Sequence, residues 1–409
     1  MRILVFTHYF PPEGNAPASR IHELGKRWVR AGHAVTVVTG PPSVPDGLVY
    51  AGYANAFGRE VVDGIEVVRV PTYLAANKGT LRRTANFVSY MAVAVARSLA
   101  LARPDVIVAT SPQFFCGWAG VLCKWLRRRP LVLEIRDLWP ESIVAVGAMK
   151  EGALLRGLER LERWMYAAAD HVVTVGEGYA ERLAAKGVAA RGLTIVTNGI
   201  DREIFQPRAP DPALLERHGL AGRFVCAYVG TVGMGCGLGV LVPAAEALRA
   251  RGRRDVGFLV VGDGAVRAEV AAEVAARGLG EWVVFAGRQP KEAIPGYLAS
   301  AGCCLVHLQR TELFTTVLPS KVFEAMAMAR PVVMGVEGEA ARLVERSGSG
   351  ICVTPEDPAA LVEAVLRLAD DPALARRMGE AGYEHVVRHY DRDRLAAEYL
   401  DVLGRFAGR

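Results

Sequence analysis

Residues 223–264 read RFVCAYVGTVGMGCGLGVLVPAAEALRARGRRDVGFLVVGDG. The two apolar runs in this stretch, Arg223–Gly230 and Val256–Val261, are near-continuous, which is typical of strands buried on both faces. Between them, Leu238–Ala250 has the length and composition of a helix. A buried strand, a glycine-rich loop, a helix and a second buried strand together predict a parallel sheet covered by helices.

The same alternation extends along the whole chain of 409 residues. In the first half, apolar runs predict strands at Ile3–Thr7, Ala34–Thr39, Ile65–Val70, Val106–Ala109, Leu131–Ile135, His171–Val175 and Leu193–Thr197. In the second half, further runs predict strands at Trp282–Phe285, Cys303–His307, Pro331–Met334 and Gly350–Val353. Between the halves, Asn198–Pro207 combines an Asn-Gly turn with a proline and is typical of a connector. The pattern predicts an α/β fold of two doubly wound domains that face each other across a cleft.

Composition excludes several classes of protein. The chain is 51% hydrophobic and 22% charged, which is ordinary for a folded soluble protein and excludes a mainly disordered one. The cysteine count of 7 is odd and no C-x-x-C pair occurs, so neither a disulfide framework nor a structural zinc site is expected. The apolar start, Met1–Phe6, is too short for a signal peptide, and we predict a cytoplasmic protein.

Charge is unevenly distributed along the chain. Residues 1–200 contain 24 Lys and Arg against 16 Asp and Glu, whereas the remainder contains 25 against 27. A basic half fits an anionic membrane, a phosphorylated substrate or a solvated surface; nucleic acid is the least favoured partner, since aromatic and basic residues are not interleaved. Thr84–Leu101, which follows Arg82 and Arg83, is apolar almost all round and predicts a core helix or a helix that dips into a membrane surface.

Two glycine-bearing loops are candidate anion sites. Gly14 and Asn15 lie between a predicted strand and a helix, where backbone N–H groups and the helix dipole attract an anion. Gly230 and Thr231 begin a loop with further glycines, which permit close approach of a phosphate to the backbone. Neither loop has the G-x-G-x-x-G or G-K-[ST] pattern, and an ordinary strand-to-helix turn remains the alternative, above all for the first.

Charged residues directly follow the predicted strand Leu131–Ile135. Arg136 and Asp137 stand with Trp139 at the carboxyl end of this strand, where ligand sites of such sheets lie. Charges at a buried strand end are costly unless they are positioned for a purpose, so we predict that Arg136 and Asp137 are catalytic. The alternative is a structural Arg–Asp ion pair packed against the tryptophan.

The run LPSKVFEAMAMARPVV at residues 318–333 predicts a helix capped by Ser320. Lys321 then lies in the first turn, where a cation is unfavourable unless it meets an anion. Glu324 lies one turn further on and near the same face. A capping box formed by Ser320 and Glu324 is the structural alternative. The cation at a helix start favours a phosphate ligand, which we predict that Lys321 binds.

In this order and spacing, the motifs resemble those of the family 4 glycosyltransferases of GT-B fold. Within that family they most resemble the bacterial surface-polysaccharide branch, of the fucosaminyltransferase type. The matching elements, which span nearly all of the chain, are PPEGN at 11–15, RDLWPES at 136–142, NGID at 198–201 with Phe205, VGT at 229–231, VGDG at 261–264, GR at 287–288 and PSKVFEAM at 319–326. The resemblance implies two Rossmann-like domains, an acceptor domain at 1–198 and a nucleotide-sugar domain at 199–385, with a helix at 386–409 that crosses back to the first.

The resemblance also implies a retaining transfer from a nucleotide sugar, expected to be a UDP-sugar, without a metal or other cofactor. Glu324 matches the glutamate that holds the ribose, and Thr316 stands where a partner glutamate is usual. Thr231 and Cys236 stand in a loop that often carries basic residues at about those places, so Lys321 is expected to be catalytic by meeting the diphosphate charge. A His–Asp pair is common where this chain has Arg136 and Asp137. The donor-binding residues implied or predicted are Gly14, Asn15, Gly230, Thr231, Arg288, Thr316, Ser320, Lys321 and Glu324.

The leading hypothesis is a glycosyltransferase of surface-polysaccharide synthesis whose acceptor is a lipid-diphosphate-linked sugar. Such an enzyme would be cytoplasmic, with peripheral contact to the inner face of the cell membrane. The alternatives are a transferase with a small soluble acceptor, a GT-B nucleotide-sugar epimerase, and a nucleotide-sugar-binding protein that has lost transfer. Thr316 weakens the epimerase alternative, because epimerisation needs paired acid and base groups beside the sugar.

Overall fold

The computed structural model describes residues 1–44, 46–75, 80–111, 113–145 and 152–407. It divides into two compact units, one of residues 1–197 with 392–409 and one of residues 198–391. The sequence placed the second boundary after residue 385, whereas the structure places it after Asp391.

The first unit is built on an eight-stranded sheet with the order β3-β4-β2-β1-β5-β6-β7-β8. Neighbouring strands are parallel except β3 and β4, which are antiparallel. The strands are β1 (Arg2–Phe6), β2 (Ala34–Thr39), β3 (Gly58–Val62), β4 (Ile65–Arg69), β5 (Val106–Thr110), β6 (Leu131–Ile135), β7 (His171–Thr174) and β8 (Leu193–Ile195). The sequence did not predict β3, because this edge strand is largely exposed and lacks a continuous apolar run.

Helices connect these strands. They are α1 (Ala16–Arg30), α2 (Thr80–Ser98), α3 (Phe114–Arg127), α4 (Glu141–Ala145), α5 (Ala153–Ala168) and α6 (Glu177–Ala185). The helix expected at Thr84–Leu101 is α2, and it is one-sided: Tyr90 and Ala94 are buried, whereas Val88 and Ala92 are exposed. Within the described residues, no helix has both the length and the apolar character needed to cross a membrane.

The second unit has a fully parallel six-stranded sheet with the order β11-β10-β9-β12-β13-β14. Its strands are β9 (Phe224–Val229), β10 (Val256–Val261), β11 (Val283–Gly287), β12 (Cys303–His307), β13 (Val332–Gly335) and β14 (Gly350–Cys352). Its helices are α7 (Pro212–Arg217), α8 (Leu241–Ala250), α9 (Arg267–Ala276), α10 (Ile294–Ser300), α11 (Lys321–Ala327), α12 (Glu339–Ser347), α13 (Pro358–Asp370) and α14 (Pro372–His389). The predicted α/β class, with two Rossmann-like parallel sheets, is therefore confirmed.

The last helix, α15 (Arg392–Gly404), packs on the first unit through α1. The indole N–H of Trp28 donates to the carbonyl of Ala396 at 3.3 Å, and the ring of Trp28 meets Tyr399 edge to face at 5.3 Å between centroids. Arg27 pairs with Asp393 at the start of the helix. These contacts attach the end of the chain to the domain in which it began.

A buried ion pair joins α1 to the centre of the first sheet. The guanidinium Nε of Arg20 lies 2.6 Å from the Glu134 carboxylate, and both side chains are almost fully buried. The remaining Arg20 nitrogens donate to the carbonyls of Val196 and Thr197, each at 2.8 Å. Arg20 therefore fixes the exit of the chain after β8 as well as the end of β6.

We predict that Glu134→Gln lowers the free energy of unfolding by about 3 kcal/mol, because it leaves buried arginine charge without its carboxylate. Glu398→Gln is the matched control, since Glu398 pairs with Arg394 on the surface at 2.8 Å and such pairs contribute less than about 1 kcal/mol. Urea denaturation of both variants measures the difference. Equal, small losses would contradict the role given to the buried pair.

Candidate functional site

Most of the candidate residues of the second unit follow the carboxyl ends of its strands. Gly230 and Thr231 follow β9, Arg288 follows β11, and Lys321 and Glu324 lie on α11 after β12. Because all strands of this sheet are parallel, these ends share one edge. The chain moves outward from β9 to β11 and then returns to β12 beside β9, so the switch point of the topology lies between β9 and β12.

The turns after β9 and β10 lie in direct backbone contact. The Gly230 N–H donates to Val261 O at 2.9 Å, and a Cβ on Gly262 would lie 1.9 Å from the Gly230 carbonyl oxygen. Gly230 itself has φ +141°, a conformation that side chains disfavour. Glycine is therefore required at both positions, and the turn after β9 is held close to its neighbour.

Lys321 lies half-buried beneath this turn. Its Nζ donates to the Tyr228 hydroxyl and lies 3.8 Å from the centroid of the Tyr228 ring. The same nitrogen lies 3.3 Å from the position that a Cβ on Gly230 would occupy. Burial lowers the pKa of Lys321 to about 8, against the opposing influence of Cys236 and Glu324. The predicted phosphate-binding lysine is thus a desolvated cation at the glycine turn.

Glu324, one turn along α11, lines a small cavity together with Lys321 and apolar residues of β9 and β12. Ser320 precedes the helix, but the expectation that its side chain caps α11 is wrong. Its backbone is already helical, with φ −58° and ψ −27°, whereas a capping hydroxyl needs an extended residue. Thr316 is buried, and its hydroxyl donates to the Leu313 carbonyl at 2.7 Å.

The outer residues of this edge are exposed. Arg288 lies near Asp263, whose pKa is lowered first by the hydrogen bond from the Gly264 N–H and then by Arg267 and Arg288. Thr231 is exposed, and its carbonyl accepts from the Tyr228 hydroxyl at 2.7 Å. Solvent can therefore reach these positions more readily than it reaches the half-buried Lys321.

In the first unit, Arg136 is directed inward. Its Nε lies 3.3 Å from the Glu134 carboxylate and donates to Thr110 and Ser111, while burial lowers its pKa to about 10. Asp137 accepts from the Ser142 hydroxyl at 3.1 Å, and burial raises its pKa. The ion-pair partner of Arg136 is therefore Glu134. The Arg136–Asp137 ion pair, which was the structural alternative, is not the principal one. Their predicted catalytic role stays a prediction.

The first-unit loop has the geometry of a strand-to-helix turn. The Asn15 side-chain oxygen accepts from the Ala18 N–H at 2.9 Å and so caps α1, while Gly14 is exposed. Glu13 is buried beside them and accepts from the N–H groups of Ser43 and Val44. The cap satisfies one amide N–H at the start of the helix. A role of Gly14 and Asn15 in binding the nucleotide-sugar donor stays a prediction.

Tyr228 and His307 belong to the second-unit site, but the sequence analysis did not single them out. Tyr228 lies inside an apolar strand, where an aromatic residue is expected to be core. His307 ends β12, and a polar residue at a strand end is the only signal that could have indicated it. Among the described residues, no group of three or more His, Cys, Asp or Glu could hold a metal ion.

Two family models match the chain. Residues 15–199 match the glycosyl transferase 4-like domain, and residues 223–371 match the glycosyl transferases group 1 domain. The chain belongs to the family 4 glycosyltransferases. The resemblance seen in its motifs is thereby confirmed, and the two matched segments fall in the two units.

Similar proteins cover the whole length. The putative colanic acid biosynthesis glycosyl transferase WcaI of Escherichia coli K12 is 27% identical over 96% of this chain and 99% of its own. Among solved structures, Anabaena HepE in complex with UDP and glucose matches with a TM-score of 0.74 and 18% identity over 99% of both chains. Sucrose-phosphate synthase from Thermosynechococcus elongatus matches with a TM-score of 0.78 and 20% identity over both complete chains. These structures share the GT-B fold with this glycosyltransferase.

We predict that Lys321→Met leaves the glycosyltransferase at least as stable as the wild type at pH 7, because a desolvated ammonium is replaced by an apolar chain of similar length. The pKa of Lys321 is about 8 in the folded chain and ordinarily 10.5, so the unfolded state binds more protons between these values. The wild type should therefore gain stability relative to the variant as pH rises through this window and lose the gain as it falls. Denaturant unfolding at pH 7, 8.5 and 10 measures it; parallel pH curves would contradict the burial of the charge.

Proposed function

We propose that this glycosyltransferase moves a sugar, with retention of anomeric configuration, from a UDP-sugar to a lipid-diphosphate-linked sugar in surface-polysaccharide synthesis. No divalent metal takes part. The observation that carries the proposal is Lys321, a half-buried cation held against the glycine turn after β9.

A nucleotide diphosphate adds further negative charge beside this cation, on which Glu324 already acts. Lys321 begins α11, where the helix dipole already favours negative charge, and glycines after β9 let a phosphate approach the backbone. Glu324, on the same helix, accepts in this proposal from the ribose hydroxyls. When the glycosidic bond breaks, negative charge grows on the diphosphate, and a desolvated ammonium stabilises that charge more strongly than a solvated one would.

The relatives support the donor and the pathway class. Anabaena HepE has been crystallised with UDP-glucose, which favours a UDP-sugar here. WcaI is named for colanic acid biosynthesis and AmsK of Erwinia amylovora for amylovoran biosynthesis, both polysaccharides. The retaining course rests on the family resemblance.

One face of the first unit supports a membrane-borne acceptor. On α5 the exposed side chains include Arg156, Arg160 and Arg163 together with Leu154 and Trp164, which are 69% and 67% exposed, whereas Glu159 is half-buried. The neighbouring α3 packs against α5 and presents a second exposed tryptophan, 56% accessible, near its end. Arginine with exposed tryptophan and leucine is the composition of a surface that lies on anionic lipid.

Steady-state kinetics test the donor site. Glu324→Gln should weaken donor binding by about 1–2 kcal/mol, since a neutral amide replaces a charge-assisted acceptor. Lys321→Ala should lower turnover more than it weakens donor binding, because its contact strengthens in the transition state. Lys291→Ala, at an exposed position of the same unit, is the control and should change either quantity by less than about 0.5 kcal/mol.

The assay distinguishes the alternatives. It contains EDTA, and the anomeric configuration of the product is read by NMR. Wild-type turnover in Lys321→Ala would refute the proposed role of the lysine. Activity that requires manganese, or an inverted product, would refute the corresponding part of the reaction. Interconversion of nucleotide sugars without acceptor would identify an epimerase, and donor binding without turnover a binding protein.

Vesicle sedimentation tests the membrane face. We predict that the variant R156Q/R160Q/R163Q binds anionic vesicles roughly a hundredfold more weakly than the wild type at low salt, at about 1 kcal/mol per arginine. The variant R367Q/R376Q/R377Q removes the same charge from exposed positions of the second unit and should bind like the wild type. If both variants weakened vesicle binding equally, the net charge of the protein, and not the α5 face, would determine the binding. Absence of wild-type binding would favour a soluble acceptor.

A further inference from the structure

His307, at the end of β12, lies between two loops of the second unit. Its Nδ1 is 2.8 Å from the Cys236 carbonyl oxygen, and its Nε2 is 2.9 Å from the Glu356 backbone nitrogen. Because the Glu356 N–H can only donate, Nε2 must accept, and Nδ1 must carry the hydrogen that is donated to Cys236. One neutral tautomer therefore satisfies both contacts.

Glycines on two sides leave room for the ring. A Cβ on Gly237, which has φ +60°, would lie 2.9 Å from the Cε1 of His307, and a Cβ on Gly335 would lie 2.4 Å from its Cδ2. The histidine is thus enclosed by backbone, and neither its ring nor the glycine-rich loop can shift without the other.

The residues after His307 make further hydrogen bonds to the same two loops. The N–H of Gln309 donates to the Gly235 carbonyl, and the N–H of Arg310 donates to the Glu356 carboxylate, both at 2.9 Å. Glu356 holds φ +62°, which a non-glycine residue adopts at a cost. Residues 307–310 therefore join the loop after β9 to the turn after β14.

We infer that His307 is a positioning residue for the glycine-rich loop, residues 230–237, and presets it for the diphosphate of the donor. The peptide between Cys236 and Gly237 is planar, so a carbonyl held by His307 sets the direction in which the Gly237 N–H can donate. Such a preset loop binds an anion without first paying to order its backbone. The inference rests on the proposed function, because it takes the loop to be the diphosphate site.

Burial keeps the ring neutral by lowering the pKa of His307, and the charged groups that act on it are Glu356, which raises the pKa, and Lys321, which lowers it. A second proton would sit on Nε2 and oppose the Glu356 N–H. The neutral state gives the full stabilisation above the ordinary pKa near 6.5, and this stabilisation is lost as pH falls towards the folded value.

Two substitutions separate the two contacts. In His307→Asn the side-chain amide can still donate to Cys236 from the Nδ1 position, whereas in His307→Gln the amide oxygen can still accept from Glu356 near the Nε2 position. Both variants lose ring packing and should lose similar thermal stability. Hydrogen exchange of residues 230–240 is measured without nucleotide, and UDP affinity is measured by calorimetry.

We expect His307→Gln to exchange faster in this segment and to bind UDP about tenfold more weakly, and His307→Asn to stay within about twofold of the wild type in both. Equal UDP affinity and equal exchange in the two variants would overturn the inference, since a merely structural histidine predicts no such split. If the wild type itself does not bind UDP, the proposed donor is wrong, and exchange alone decides whether His307 holds the loop. The wild type also provides a test without substitution: nitrogen-15 spectra must show the Nδ1–H tautomer, and the Nε2–H tautomer would refute the arrangement.

Discussion

The position of one half-buried lysine links the strands and loops at the switch point of the second unit. A Cβ on residue 230 would lie 3.3 Å from the Nζ of Lys321, so the glycine leaves room for the lysine against Tyr228. The turn at Gly230 can fold back only because Gly262 lets two backbones meet. The lysine belongs to a helix that follows β12, whereas the tyrosine belongs to β9, so their contact closes the switch point of the sheet. The glycines, the tyrosine and the strand order are thus parts of one constraint, which is to hold a cation partly shielded from water.

The first unit uses buried charge in the opposite way. Glu134 is matched there by Arg20, with Arg136 beside it, and the remaining donors of Arg20 are taken by carbonyls. A compensated cluster of this kind specifies how segments meet but has little capacity to respond to a ligand. Lys321, whose burial lowers its pKa, gains most when an anion arrives, which is the reason for the proposal that the donor diphosphate binds beside it.

The repeated apolar runs were sufficient to predict both parallel sheets, because strands buried on both faces leave a strong pattern in the sequence. The exposed edge strand β3 leaves no such pattern. The apolar run Thr84–Leu101 suggests a helix that is buried all round, whereas the apolar side chains of α2 are partly exposed. Lys321 could be singled out as a candidate because a cation at a helix start conflicts with the dipole. Tyr228 and His307 could not, because their roles depend on tertiary contacts between strands that are distant in the chain. The predicted helix cap at Ser320 is wrong for a local reason: the backbone of Ser320 is already helical, which residue preferences do not reveal.

The departures from the family pattern can be understood from the same balance of charge. The loop after β9 has Thr231 and Cys236 where basic residues are frequent, and Thr316 stands in place of a glutamate. A loop without its own cations must rely on backbone amides, whose direction depends on the peptides to which they belong. In such a site one desolvated lysine and a rigid loop carry the stabilisation that several solvated side chains would otherwise share, since fixed dipoles and a buried charge need little reorganisation as negative charge develops. The contacts that hold the loop are then as important to the proposed transfer as the groups that meet the donor.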